Sequence, residues 1–303
     1  MAVRIGALFN VFQSIDDATA EVQGYADAGF ASAWGSQIFG HDTLTLLALV
    51  GSRVPGIELG TAVVPVHPRH PAMLAQQATT VQAALGGRLA LGIGLSHKIV
   101  VEGMWGYHFD RPASYMREYL SVLVPLLRGE PANFHGELIT GVSGGPLVHF
   151  TQPTPVYVAA LGPAMLKMAG ELADGTVTWM TGTKTIGSHI APKITAAASA
   201  AGRPDPRIVV GLPVCVTADS TAAKERIDKE LSIYPNLPSY RAMLDLEGAT
   251  TASDLAFVGS AEDVTAAVDR LADAGATDFT ASVIGDAGER DRTWSLLAEL
   301  ASR

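Results

Sequence analysis

The sequence lacks the features that would assign it to several common classes of protein. It has one cysteine, Cys215, in 303 residues, so no disulfide can form within the chain and a reducing compartment is expected. No apolar run reaches the roughly 18 residues that a membrane span needs. Residues 1–5 read directly into a predicted strand and do not have the layout of a signal peptide. We therefore expect a cytoplasmic protein with no membrane partner.

Basic residues are also scarce, and several catalytic motifs are missing. The formal net charge is −9, and no run of Lys or Arg could follow a nucleic-acid backbone, so we expect no nucleic-acid partner. Histidine, cysteine and carboxylate residues do not take the spacing of a metal site, which predicts that no metal is bound. The Gly-x-Ser-x-Gly turn of a hydrolase nucleophile is absent. The pair Gly92-x-Gly94 lacks the third glycine and the downstream acid of a dinucleotide-binding fingerprint.

The chain is instead rich in apolar residues and in one recurring turn. Hydrophobic residues make up 48% of the sequence and charged residues 17%, which favours a large core. Segments 25–30, 171–177 and 271–277 each end a helical pattern at a glycine and continue into a β-rich run. Glycine accepts the positive φ that such a helix end requires. Segment 85–91 makes the same turn with other residues, so the pattern indicates a repeated strand–helix unit.

Apolar runs bounded by turn residues predict the strands of this repeat. They lie at about 3–9, 30–35, 57–64, 89–94, 156–160, 175–180, 208–217 and 277–284. Each run is apolar on both faces, as in a buried parallel sheet. Strands that alternate with helices in this number predict a (β/α)8 barrel as a single domain over residues 1–303, with an open doubly wound sheet as the competing fold. Excursions at about 129–150 and 231–257 interrupt the alternation; a lid or subunit contact and a plain surface loop fit them equally well.

The strand exits hold the candidate functional residues, because a barrel carries its chemistry at the carboxyl ends of its strands. Gly92 and Gly94 alternate on one face of the fourth strand, which predicts exposed backbone there. Ser96, His97 and Lys98 follow at the exit. His97 has the best claim to a proton-transfer role, since an imidazole with a pKa near ~6.5 exchanges protons at cellular pH.

Two other exits predict an anion site. Leu161-Gly162-Pro163 begins a helix after the fifth strand. The free backbone N–H groups at such a helix start, together with the helix dipole, suit a phosphate. Thr181 and Gly182 follow the sixth strand and could complete the same cradle.

A set of motifs, which occur in the same order as in a known family, carries a resemblance to that family. They lie at residues 59–63, 69–71 with 76–77, 88–94, 111–112 with 117–119, and 162–175. With these motifs the chain resembles the bacterial-luciferase-like superfamily of flavin and deazaflavin oxidoreductases. Within it, the chain is most similar to actinobacterial enzymes that use the deazaflavin coenzyme F420.

The resemblance implies a barrel with a deazaflavin pocket at its C-terminal mouth. It implies a non-proline cis peptide at Ala62–Val63, in a bulge that supports the back of the ring, and it places the coenzyme phosphate on Leu161–Pro163. Arg69, Lys98 and Lys184 are candidates to meet the acidic tail of the coenzyme, or are ordinary solvated charges. Relatives are commonly homodimers, so we expect a homodimer. The implied cofactor contacts are Thr61, Ala62, Val63, Gly94, Ser96, His97, Leu161, Gly162, Pro163, Thr181 and Gly182.

Departures from the family pattern narrow the expected chemistry. Several relatives have Asp-His at the exit of the second strand, where this chain has Ser36-Gln37. A glutamate often follows the glycines of the fourth strand, where His97 stands here. The missing residues handle protons in sugar and alcohol oxidation, so we expect reduction of a small molecule with His97 as the proton donor and Gln37 as a second catalytic candidate.

Three alternatives stay open. The same fold could use flavin mononucleotide and oxygen, as a luciferase-like monooxygenase does. It could also bind a flavin or deazaflavin without catalysis. An aldolase-type barrel is disfavoured, because Lys98 is the one obvious lysine at a strand end.

Overall fold

The computed structural model describes residues 3–147 and 151–303 and is built around a closed ring of parallel strands. The strands are β1 (Arg4–Leu8), β2 (Ser32–Gly35), β3 (Glu58–Thr61), β4 (Val64–Pro65), β5 (Leu89–Gly94), β6 (Asn133–His135), β7 (Thr140–Val142), β8 (Val156–Val158), β9 (Gly175–Trp179), β10 (Arg207–Val216), β11 (Phe257–Gly259) and β12 (Asp278–Val283). Neighbours follow the order β12-β1-β2-β3-β5-β8-β9-β10, and β10 pairs with both β9 and β12, which closes the barrel. The predicted (β/α)8 barrel is confirmed, and each predicted strand is one of its staves.

Helices pack around the barrel. They are α1 (Ile15–Asp27), α2 (Thr43–Gly51), α3 (Pro71–Ala84), α4 (Lys98–Gly103), α5 (Pro112–Leu127), α6 (Pro163–Leu172), α7 (Thr183–Thr185), α8 (Ala191–Ala200), α9 (Ser220–Glu230), α10 (Pro238–Glu247), α11 (Ala261–Asp273) and α12 (Ala287–Ala301). A π-helical turn at Ile186–Ile190 joins α7 to α8, and 3₁₀ turns occur at Tyr234–Asn236 and Ala252–Leu255.

Local signals start and end these helices. Ser260 accepts a hydrogen bond from the backbone N–H of Asp263, which completes the capping box at the start of α11. Gly29 and Gly275 end α1 and α11 with φ of +80° and +99°, as the recurring turn predicts. At Gly175 the requirement is steric, because a Cβ would collide with the carbonyl oxygen of Arg207 on β10.

The two predicted excursions contain regular structure. The first forms the antiparallel hairpin β6–β7; its last residues, 148–150, lie outside the described residues, and so does His149. The second contains α10 and two 3₁₀ turns, so a plain surface loop is the wrong description. Helix α10 begins at Pro238, and Gly248 ends it at φ +84°. Met243 and Leu244 form its buried apolar face. Short length and flanking prolines hid this helix from the periodicity analysis.

Side chains fill the barrel below its mouth. Arg207 donates to Glu58 and to the fully buried Asp278, at 2.6 Å each, where the strands begin. Above this ion cluster lies a buried layer made of Trp34, Ala90, Tyr157, Val177 and Val209. The lumen is therefore a packed core, and a ligand has room only at the end where the strands exit.

Candidate active site

A bulge between β3 and β4, which together form the third strand of the barrel, makes the floor of the mouth. Pairing of β3 with β5 stops at Gly60 and Ala90 and resumes at Val64 and Ile93, so residues 61–63 face only residues 91–92. Within the bulge the Ala62–Val63 peptide is cis, which confirms that prediction. The Thr61 hydroxyl donates to the Gly92 carbonyl at 2.7 Å and accepts from the Gly92 N–H at 2.9 Å. The side chain of Thr61 thus replaces the interrupted backbone pairing.

The bulge leans over the glycines of β5. A Cβ on Gly94 would lie 2.6 Å from Cγ2 of Val63, and a Cβ on Gly92 would collide with the carbonyl oxygen of Thr61. Both glycines are buried, whereas Ala62 and Val63 are partly exposed. The expectation of exposed backbone at Gly92 and Gly94 is therefore wrong. These glycines make room for the bulge, and the bulge itself faces the mouth.

His97 lies at the exit of β5, immediately before α4. Ser96 precedes it with φ +62°, a left-handed conformation that is uncommon for serine and turns the chain at this point. The imidazole makes no capping hydrogen bond to α4, and its ring lies 5.7 Å from the ring of Tyr240. Burial lowers the pKa of His97 below its ordinary value of 6.5, so the neutral ring predominates near neutral pH.

An aromatic wall, defined here as His97, Tyr240, Tyr234 and Trp179, crosses the mouth. The ring of Tyr234 lies 5.0 Å from that of Tyr240 and 5.9 Å from that of Trp179, edge to face in both pairs. Burial raises the pKa of both phenols, so they are neutral hydrogen-bonding groups. Sequence reasoning missed the two tyrosines as site residues, because they come from the second excursion and no motif marks them.

One polar atom of this wall is buried without a partner. Nε1 of Trp179 is buried and makes no hydrogen bond. The phenol of Tyr234 lies close to Trp179, and this contact opposes the rise that burial causes in the pKa of Tyr234. The phenol oxygen and Nε1 of Trp179 nevertheless do not reach the geometry of a hydrogen bond. A buried N–H donor without an acceptor is unfavourable, and such atoms often mark sites that a ligand completes.

Gln37 is tied to the start of α2. Its Oε1 accepts from the backbone N–H of Thr43 at 2.8 Å. Nearby, Asp42 binds the guanidinium of Arg69 and accepts from Gln77 Nε2 at 3.1 Å. Arg69 therefore has a carboxylate partner already. The catalytic assignment of Gln37 stays a prediction.

The predicted phosphate turn keeps its helix start open. Gly162 is the N-cap of α6 with no side-chain hydrogen bond, and no atom lies within 4 Å of the Cβ position at this glycine. Nε2 of His189 donates to the Leu161 carbonyl at 2.7 Å. Lys193 Nζ donates to His189 Nδ1 at 3.0 Å, which matches an imidazole protonated on Nε2. His189 thus holds the turn in place.

The N–H groups that follow Gly182, in the second half of the predicted phosphate site, already bind a carboxylate of the protein. Glu247 of α10 accepts from the backbone N–H groups of Lys184 and Thr185 at 3.0 and 2.7 Å. Gly182 allows this approach, because a Cβ there would collide with the Glu247 carboxylate. Thr181 and Gly182 are buried. A carboxylate at this helix start disfavours a phosphate beside it, so the phosphate role of Thr181 and Gly182 has less support than that of residues 161–163.

Both lysines predicted to meet the acidic tail of the coenzyme lie near oxygen atoms of the protein itself. Lys98 lies 3.7 Å from Glu102, and Lys184 Nζ lies 3.4 Å from the Glu247 carbonyl. Over residues 3–147 and 151–303, no helix combines the length and apolar character needed to cross a membrane. In the same ranges, His, Cys, Asp and Glu side chains do not gather in threes as metal ligands would.

The chain belongs to the luciferase-like monooxygenase family, whose sequence profile matches residues 4–278. It is 30% identical over 225 residues to a Mycobacterium tuberculosis protein whose name gives it the inferred function of a coenzyme F420-dependent oxidoreductase. This match covers 69% of the present chain and 65% of the mycobacterial protein. It is 26% identical over 293 residues to the 5,10-methylenetetrahydromethanopterin reductase of Methanolobus tindarius, covering 86% of this chain and 89% of that enzyme. The predicted superfamily is thereby confirmed.

A solved structure gives the same fold. An F420-dependent secondary alcohol dehydrogenase, in complex with an F420–acetone adduct, superposes with a TM-score of 0.83 over the full length of both chains at 19% identity. At this identity the likeness concerns the barrel architecture alone.

Proposed function

We propose that this protein is an F420-dependent oxidoreductase that reduces a small organic substrate by hydride transfer from the C5 atom of the deazaflavin. The mycobacterial relative carries F420 in its name, and the methanogen relative is named as a reductase. The observation that carries the proposal is the bulge at residues 61–63, which presents Ala62 and Val63 at the mouth on the stave next to His97.

The residues of the mouth fit a planar ring with a phosphate tail. Ala62 and Val63 are small and pack on the buried lumen layer beneath them, so they form a firm floor. The open helix start at Gly162 has N–H groups available for a phosphate. In this arrangement the bulge supports one face of the ring, residues 161–163 bind the phosphate, and His97 holds the proton that the substrate receives.

The deazaflavin supplies the hydride when reduced, and the protein supplies the proton and the orientation. Because burial lowers the pKa of His97, its protonated form is a stronger acid than free imidazole but is a minority species near pH 7. The reduction rate should therefore rise as the pH falls from neutrality toward the pKa of His97. His97→Ala should remove that pH dependence.

Side-by-side fluorescence titration with F420 and FMN tests the proposal. We expect saturable binding of oxidised F420 and weaker binding of FMN. Saturable FMN binding with flavin-dependent oxygen consumption, and no F420 binding, would favour the monooxygenase that the family name describes. Binding of F420 with every candidate reaction unchanged in His97→Ala would favour a non-catalytic barrel.

We also propose that the chain acts as one domain and forms a homodimer through α2 and α3. Exposed apolar side chains, Leu49 and Met73, occur on these two helices. Met73 lines a groove of about 450 Å³, together with Ala48, Val81 and four polar residues, Thr45, Gln76, Gln77 and Thr80. Light scattering should give twice the chain mass, and Met73→Glu should shift the protein toward monomer. A monomeric wild-type protein would exclude this arrangement. The cytoplasmic location remains an expectation from the single buried Cys215.

A further inference from the structure

The aromatic wall limits the chemistry of a substrate at the mouth. Its four side chains are an imidazole, two phenols and an indole, and none is a carboxylate. Burial keeps His97 largely neutral and both phenols neutral, so no fixed charge of the wall meets a ligand. Such a surface favours a flat, uncharged, conjugated molecule that packs on ring faces and edges.

The unpartnered indole nitrogen specifies which polar group the ligand must carry. Trp179 Nε1 can only donate a hydrogen bond, so the group that satisfies it must be an acceptor. A carbonyl oxygen is such an acceptor, and a hydrogen bond to it draws electron density from a conjugated C=C bond. The β carbon of that bond then accepts hydride more readily.

Tyr234 covers this nitrogen in the free protein. Its ring lies edge to face on Trp179, and it begins the short 3₁₀ turn Tyr234–Asn236. The adjoining Ile233 is 61% exposed, and the turn is held by backbone hydrogen bonds of 3.0–3.1 Å and by Asn236 Nδ2, which donates to the Ser232 carbonyl at 3.1 Å. A ligand that reaches the indole nitrogen must therefore displace the Tyr234 ring from its contacts with Trp179 and Tyr240.

We propose that Trp179 is a specificity-determining residue whose indole N–H binds the carbonyl oxygen of an α,β-unsaturated ketone, and that this substrate displaces Tyr234 from the indole. This inference rests on the proposed F420-dependent reduction. The substrate C=C bond becomes a single bond: its β carbon gains the hydride of the reduced deazaflavin, and its α carbon gains a proton from His97. His97 regains that proton from water, so atoms and electrons balance.

The test measures binding of 2-cyclohexen-1-one by calorimetry in the presence of oxidised F420, where no turnover occurs. Trp179→Phe keeps a ring but removes the N–H, and it should weaken binding of this probe about three- to tenfold, the value of one neutral hydrogen bond. Its affinity for F420 should not change. Trp294→Phe is the matched control, because Trp294 packs on Tyr25 and Phe30, away from the mouth, and should bind the probe like wild type.

A second variant tests the displacement of Tyr234. Tyr234→Ala removes the ring that covers the indole, so it should bind the probe at least as tightly as wild type. It should also increase acrylamide quenching of tryptophan fluorescence. Weaker probe binding in Tyr234→Ala would show that Tyr234 contacts the bound probe, and would overturn its displacement from the indole.

Two outcomes separate this inference from the proposed function. If F420 binds to wild type and to Trp179→Phe alike, but the two proteins bind the probe equally, the role of Trp179 is overturned and the F420-dependent function stands. If F420 does not bind to the wild-type protein, both are overturned.

Discussion

Replacing Gly94 by alanine tests the packing of the bulge against β5. A Cβ at this position would lie 2.6 Å from Cγ2 of Val63 and 3.2 Å from Cβ of Ala159. Carbon atoms in good contact are about 3.5–4.0 Å apart, so Val63 must rotate or the bulge must shift. Overpacking of this kind costs about 1–3 kcal/mol, of which the lower chain entropy of alanine in the unfolded state offsets about 0.4–1 kcal/mol. We therefore expect the free energy of unfolding to fall, by up to about 2.6 kcal/mol.

Urea unfolding followed by circular dichroism measures this change as a lower midpoint with an unchanged slope. Val63→Ala removes the methyl group that the new Cβ meets. In the double variant the two substitutions should therefore be less harmful together than the sum of their separate effects, with a coupling energy of about 0.5–3 kcal/mol.

Gly92→Ala is the control for this cycle. Its Cβ would collide with the carbonyl oxygen of Thr61, a backbone atom, and would lie 3.1 Å from Cγ1 of Val63, so shortening Val63 should relieve the lesser contact and give little rescue. Additive effects of Gly94→Ala and Val63→Ala, or a wild-type midpoint for Gly94→Ala, would refute the claim that Val63 occupies the space above Gly94. Equal rescue at residues 92 and 94 would refute it as well.

Further predictions concern the closed end of the barrel and the dependence of stability on pH. Arg207→Met leaves the carboxylates of Glu58 and Asp278 with only the longer ion pairs to the half-exposed Arg4, at 3.8 and 3.5 Å, and should lower the free energy of unfolding by about 3–5 kcal/mol in urea. Adding Asp278→Asn should restore part of that loss, and a midpoint for Arg207→Met equal to wild type would contradict the account. Burial lowers the pKa of His67 from 6.5, so the unfolded chain binds a proton at this ring at higher pH than the folded chain does. The contribution of His67 is therefore present in full above about pH 6.5 and is lost as the pH falls through its folded pKa. Between about pH 7 and about pH 5, the free energy of unfolding of His67→Gln should fall less than that of wild type. His97 contributes equally to both proteins. Parallel plots of unfolding free energy against pH would show that His67 does not contribute.

Short-range patterns were sufficient for the barrel because each of its units is a local structure. An apolar run followed by a helical pattern marks one strand–helix unit, and glycines such as Gly29 and Gly275 mark where the next strand begins. Eight repeats of the unit favour a closed parallel sheet over an open doubly wound one. The cis peptide at Ala62–Val63 came from resemblance to a family, since no local rule of composition indicates it.

The helix α10 shows where pattern analysis failed. Its ten residues follow a proline-rich turn, and its apolar face is short. Periodicity needs a longer window to separate such a helix from a loop. As a result, the segment that carries Tyr234 and Tyr240 could not be placed at the mouth.

Residue types and local structure followed from the order of amino acids, whereas the neighbours of each functional group followed from the closure of the barrel. Val63 lies over Gly94, Glu247 takes the N–H groups beyond Gly182, and Tyr240 meets His97. These partners are separated by tens to more than a hundred residues along the chain. Contacts of that range depend on the register and curvature of the whole sheet, which no short stretch of sequence specifies.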